Sequence, residues 1–207
     1  MRQIHSDGVV DGGCSLLTAL SREAVKESDS DHVLTYRVMA NLPVIIWDGT
    51  QRRVVPMRWG WPDKNWKIPK HIHARGETVD STKAFAPSFL DGQRGIVVMR
   101  TFNEAPDMPG PTIQHTITPG DLGAIGIALI WRQFEVPEIA ATMPACVMVT
   151  LAANQLIATL PTDRMPAVLA DEDSAAWLEE TGTPTDTKAC LKTVEGVHWT
   201  MTREECA

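Results

Sequence analysis

The chain has 207 residues, 43% hydrophobic and 22% charged, which is long enough to bury a core and excludes a disordered polymer. No apolar run approaches the roughly 20 residues that cross a bilayer, and the opening MRQIHSDGVVDGG has no apolar signal segment, so a soluble cytosolic protein is expected. A formal net charge of −7 excludes a surface that is basic all over and leaves room for a local basic groove.

In chain order, residues 1–13 are rich in Gly and Asp without periodicity and read as a flexible arm, with 14–207 as one domain. SLLTALSREAVKES has apolar residues at helical spacing behind a possible Ser15 cap and predicts a short helix. DHVLTYRVMANLPVIIWDG and QRRVVPMRWGW predict two strands joined at an Asp-Gly turn. STKAFAPSFLDG predicts a helix capped by Ser81, with Phe85 and Phe89 four apart and Gly92 as the stop. Strands are expected at GIVVMRTFNEA, GAIGIALIWRQFEV and ACVMVTLAA. NQLIATL and DEDSAAWLEET predict helices, the second with acids in its first turn. NEAPDMPGPTIQHTITPGD is a Pro- and Gly-rich loop with room for one short strand. The fold class expected is α+β: an antiparallel, barrel-like sheet with a few peripheral helices.

Charge is distributed unevenly. Between residues 52 and 75 stand Arg52, Arg53, Arg58, Lys64, Lys67, Lys70 and Arg75, opposed only by Asp63, and Trp59, Trp61 and Trp66 interleave with them. Indoles stack on unpaired bases while cations follow phosphates, so this mixture suits single-stranded nucleic acid. It equally suits a core of tryptophans rimmed by charge.

His71 and His73 in HIHARGETVD fall two apart, on one face if the segment is one strand. A metal site needs a third ligand that the sequence does not supply, so no metal is expected. The cysteines Cys14, Cys146, Cys190 and Cys206 lack CxxC spacing, which supports neither a zinc ribbon nor a disulfide framework. Glu104 ends an apolar strand beside a loop, a place for a general acid or base or for a solvated strand end. Asp163 and Arg164 lie in a bend before an apolar strand and could orient a ligand or pin a loop.

Taken in order, YRVMANLPV, VVPMRWGW, IHARGETV, FNEA, ALIWRQF, VTLAAN and DRMPAVL resemble the SOS response-associated peptidase (SRAP) family over residues 36–178. The resemblance implies a domain that binds single-stranded DNA in a positive groove. It implies an N-terminal cysteine whose amine and thiol close a thiazolidine on an abasic deoxyribose aldehyde, assisted by Asn, Glu and His, with no cofactor. By position, Glu104 and Arg75 keep the family's residues, His73 stands for the Asn, and Thr162 for the His. Position 2 is Arg2; ring closure needs a free amine and a thiol on one residue, and Cys14 would offer both only if the arm were removed.

The resemblance thus implies a DNA-damage-response protein that binds single-stranded or abasic DNA through Arg58, Trp59, Trp66, Arg75, Asp163 and Arg164 without crosslinking it. The alternatives are an active crosslinking enzyme or peptidase using Cys14 with Glu104, and a groove retooled for a protein partner. A diverged copy of this kind suits a phage or accessory genome.

Overall fold

The computed structural model describes residues 36–107, 113–120, 123–179, 182–196 and 198–204. The predicted arm, the helix following Ser15, and Cys14 lie outside them.

Strand β1 (Asn41–Trp47) and strand β2 (Arg52–Trp59) form the expected hairpin, in register from Asn41–Arg58 to Trp47–Arg52. Asp48 fixes the turn: its Oδ1 accepts from Thr50 N at 3.0 Å, Thr50 Oγ1 at 2.8 Å and Gln51 N at 2.9 Å. Gly49 sits at φ +96°, where a side chain would be strained. Those bonds favour the ionised carboxylate and hold Asp48 at about 2. Of the strand expected over residues 31–47, the described residues 36–40 are not strand and β1 starts at Asn41, after Met39 turns the backbone to φ +76°.

Three short strands follow, β3 (Trp61–Pro62), β4 (Pro69–His71) and β5 (His73–Arg75), and after helix α1 (Ala86–Leu90) comes the longer β6 (Arg94–Met99) of the main sheet. The predicted strand GIVVMRTFNEA breaks at Arg100, and β7 (Phe102–Glu104) joins a separate sheet. The Pro- and Gly-rich loop does hold one strand, β8 (His115–Thr118). Beyond it lie β9 (Ile125–Val136), β10 (Ala141–Ala152), β11 (Arg164–Pro166), β12 (Val168–Leu169), helix α2 (Asp171–Leu178), helix α3 (Pro184–Ala189) and β13 (Thr200–Arg203).

The predicted helices at STKAFAPSFLDG and NQLIATL are shorter than expected. Ser81 caps nothing: residues before Ala86 are turns whose Phe85 and Ala86 amides both bond to Thr82 O. The second is a single 3-10 turn, Ile157–Thr159, whose Ile157 amide is capped by Asn154 Oδ1 at 2.9 Å.

The main sheet runs β11-β10-β2-β1-β6-β9-β12, and a further β9–β10 pairing closes β10, β2, β1, β6 and β9 into a ring. This is the expected sheet-dominated α+β architecture with few helices. The ring is not wholly antiparallel, since β10 runs parallel to β2 and also to β5. Alternation along β10 builds two apolar clusters. Cys146 and Met148 join a cluster to which all five ring strands contribute, including Leu42, Met57, Val97 and Leu129. Ala145, Val147, Val149 and Leu151 face the other way and belong to a second cluster that includes Phe89 of α1 and Trp177 of α2. Fully burying each such large apolar side chain contributes about 1.5–3 kcal/mol. Trp177 is also pinned by its indole N–H to Gly95 O at 3.0 Å, while Arg94 Nε donates to Trp177 O at 2.7 Å.

Candidate functional site

Strand β10 sets the geometry. Its Cys146, Met148 and Thr150 pair in parallel register with Trp59, His73 and Arg75, and Ala152 pairs with Arg164 on β11. Even-numbered positions of β10 share one side, so Trp59, His73 and Arg75 form a row on that side of the sheet. Contacts bear this out. Trp59 Nε1 donates to Ile72 O at 3.3 Å, and the Trp59 and His73 rings lie 6.4 Å apart. Exposure increases along the row, with Trp59 half-buried and His73 and Arg75 exposed. Although its rim meets solvent, the His73 ring is desolvated enough to lower its pKa.

Arg164 closes the far end. Its Nη1 and Nη2 donate to the two oxygens of Glu77 at 2.8 Å each, and Nη2 also donates to Thr150 O and Oγ1. This bidentate grip, the main cause, holds the Glu77 carboxyl below its usual value. Arg75 has no hydrogen-bond or ion-pair partner among the described residues. Its charge helps hold the Glu77 carboxyl down through space, and its exposed guanidinium is available to an anion.

The other candidates divide. Arg58 follows the opposite side of β2, beside Ala145. Its guanidinium lies 5.3 Å from the Trp66 ring, and its Nη2 donates to Trp66 O at 2.9 Å. Trp66 in turn donates from Nε1 to Glu135 O at 2.8 Å and meets Phe134 edge-on. The structure therefore does not bring Arg58 and Trp66 together with Trp59 and Arg75. Trp61 is buried, with its indole N–H on Ala145 O. The basic run is also not one groove: Arg52 pairs with Glu179 at 2.7 Å and Arg53 with Asp48 at 3.6 Å.

His71 and His73 do not share a face. The strand is interrupted at Ile72, whose carbonyl accepts from Met148 N and from the Trp59 indole. His71 consequently packs on Phe85 and Trp61, on the other side from His73. Among the described residues no group of three His, Cys, Asp or Glu gathers to hold a metal ion.

Glu104 ends β7, opposite His115 on β8. Burial pushes its carboxyl up to about 7. The segment following it reaches the loop of Thr162: Asp107 N donates to Pro161 O at 2.9 Å, and Ala153 N to Asp163 O at 2.9 Å. The segment after Glu104 thus adjoins the loop of Thr162, without a side-chain bond between Glu104 and Thr162, and Asp163 is exposed beside the end of β10. Of the described cysteines, Cys146 and Cys190 are buried, and burial pushes the Cys146 thiol up to about 12. Neither offers a thiolate near neutral pH. Sequence reasoning set His115 aside, because its place opposite Glu104 is visible only once β7 and β8 are paired.

A family model described as "SOS response associated peptidase (SRAP)" matches residues 16–204. Among curated proteins, the chain is similar to the abasic site processing protein YoqW of Bacillus subtilis (strain 168), at 30% identity over 152 residues. That match covers 70% of this chain, and the chain spans 66% of the relative's length. Among solved structures it is similar to a protein from Bacteroides thetaiotaomicron, with TM-score 0.74, 17% identity, and coverage of 93% of this chain and 89% of that one. A protein from Bordetella bronchiseptica gives TM-score 0.71 and 20% identity, covering 89% of this chain and 95% of that one. At these identities the structural likeness is one of fold.

Proposed function

Because the chain belongs to the SOS response associated peptidase (SRAP) family, we propose that it binds single-stranded DNA at abasic sites and does so reversibly. The observation that carries this reading is the row along β10, with one half-buried indole, one imidazole and one unpaired guanidinium at successive rungs. An indole at one end and a free Arg at the other match the stacking-plus-phosphate chemistry of an unpaired strand. The name of the similar curated protein, an abasic site processing protein, supports the lesion as the target. Reversibility rests on the side chains: His73 and Thr162 replace an amide and an imidazole of the family pattern, and the described cysteines are buried. The reading extends to a role in the DNA-damage response inside the cell.

One observation favours a second reading, an active enzyme. Glu104 keeps the family's acid and holds its proton near neutrality, as a general acid must, with Cys14 as the candidate nucleophile. The test is incubation with abasic single-stranded DNA, followed by a denaturing gel and by anisotropy titrations at several salt concentrations. Salt-sensitive binding with no shifted covalent band is expected. A covalent band would overturn reversible binding in favour of the enzyme. Absence of binding at every salt concentration would overturn the DNA reading and point to a protein partner for the row.

A further inference from the structure

Three residues share one rung where β10 meets two of its neighbours: Arg58 on β2, Ala145 on β10 and Arg132 on β9. Directly paired residues point to the same side of a sheet, so the two arginines rise on either side of a methyl group, with Cα atoms about 10 Å apart. This side of β10 is the one away from the row that carries Trp59 and Arg75. The indole of Trp61 lies against the rung, donating from Nε1 to Ala145 O at 3.1 Å.

Arg132 sits in the notch of two tilted rings. The ring centres of Trp61 and Phe134 are 5.7 Å apart, and the Arg132 guanidinium carbon lies 4.5 Å from the first and 4.4 Å from the second. Phe134 also meets Trp66 edge-on at 6.2 Å, and Trp66 carries the guanidinium of Arg58 at 5.3 Å. Two rings therefore stand between two guanidiniums. Stacking holds the plane of the Arg132 group and leaves its edge donors unused, since they have no hydrogen-bond or ion-pair partner among the described residues. Arg58 Nε is likewise buried without a partner.

Lys70 on β4 adds a third cation. Burial, and after it the charges of Lys70 and Arg132, lower the His71 pKa, so the field here is positive. Among the described residues no carboxylate pairs with Arg58, Lys70 or Arg132. Burial also lowers the Arg132 pKa. A half-buried guanidinium without an acceptor is costly, and unpartnered buried donors are rare in native folds and call for an explanation. An anion from outside the described residues supplies one.

We propose that Arg132 is the centre of a phosphate site, in which a phosphomonoester takes two N–H donors of the guanidinium with the charges of Arg58 and Lys70 beside it. A planar fork pre-set by two rings matches two oxygens of one phosphate, which a lysine ammonium does not. A phosphomonoester carries nearly two negative charges near neutrality, so it gains more from this group of cations than an internal phosphodiester with one. Its source is either a free mononucleotide or the terminal phosphate of a strand. The site goes beyond the DNA reading and does not rest on it.

The experiment uses the full chain. Heteronuclear NMR follows the Arg132 Nε–H and Trp61 Nε1–H signals as sodium phosphate or a nucleoside 5′-monophosphate is added, against sodium chloride at equal ionic strength. Both signals should shift and saturate with phosphate and with the mononucleotide, and not with chloride. Arg132→Ala, read from the Trp61 signal, should weaken mononucleotide binding roughly 10- to 100-fold. Lys70 is exposed, so Lys70→Ala should fold even if Arg132→Ala does not, and should weaken binding about 2- to 5-fold. Equal shifts with chloride, or mononucleotide binding unchanged in the variants, would overturn the site. Anisotropy with single-stranded DNA bearing or lacking a 5′ phosphate separates the sources. Tighter binding of the phosphorylated strand, lost in the variants, assigns the strand end; equal binding assigns the free mononucleotide. The unphosphorylated strand reports the row by itself, so its failure to bind counts against the DNA reading and not against this site.

Discussion

Arg58 and Trp59 are adjacent in sequence and stand on opposite sides of β2. Arg58 lies beside Ala145 and folds onto Trp66, whereas Trp59 lies beside Cys146 and meets His73. Strand alternation separates two residues that composition had grouped together.

Trp59→Ala should weaken binding of a single-stranded oligonucleotide roughly 5- to 150-fold, the loss of one stacked base at about 1–3 kcal/mol. Trp66→Ala removes a wall packed on Phe134 and Arg58 and should lower stability while altering affinity far less. Anisotropy and urea denaturation on both variants separate the two effects. Equal losses of affinity would show that the row is not the binding surface.

Arg75→Ala should change stability little, because the guanidinium has no hydrogen-bond or ion-pair partner among the described residues and acts on the exposed Glu77 carboxylate only through space. It should reduce the slope of log K against log salt by about 1, as expected for one phosphate contact. Arg164→Ala strips both Glu77 and Thr150 of their donor and should cost about 1 kcal/mol of stability, as a partly exposed bidentate pair does. Salt titrations and denaturation midpoints check each.

Glu104 predicts a pH dependence of folding. Its folded value is raised to about 7 from 4.5, so the unfolded chain ionises first as pH rises. Its contribution is fully present below about pH 4.5 and is lost progressively up to about pH 7, by at most about 3 kcal/mol. Because His71 and His73 titrate with the opposite sign, the difference between wild type and Glu104→Gln is the quantity to measure. Glu104→Gln should gain stability relative to wild type between pH 5 and pH 8 in urea denaturation. A constant difference would mean that Glu104 is not buried as described.

Gly95→Ala should destabilise the fold by about 1–3 kcal/mol, the usual cost of overpacking. A Cβ there would come within 2.5 Å of Val44 Cγ1 and 3.2 Å of Ile45 O on β1. A chemical denaturation midpoint equal to wild type would contradict that packing.

The hairpin, the long strands and the acid-led α2 were legible in the sequence because each rests on local signals: Asp48-Gly49, alternating apolar residues, and charges at a helix start. The capping box of α3, Thr183 with Asp186, was equally local and was passed over. What was not legible depends on pairing between distant segments. The break at Ile72, which turns His71 and His73 apart, is set by bonds to Met148 and Trp59. The approach of Glu104 to His115 is set by a ladder across a Pro-rich loop. The family motifs located Trp59, Arg75 and Arg164, and the register along β10 supplied their order.

The side chains of that row are spaced by main-chain rungs of one long strand, β10. His73 is therefore held in line with Trp59 and Arg75 by the register of β5 and β2 on β10. Such scaffolding fixes the spacing of its occupants by main-chain rungs, so a substitution at one rung leaves the interval between the others unchanged.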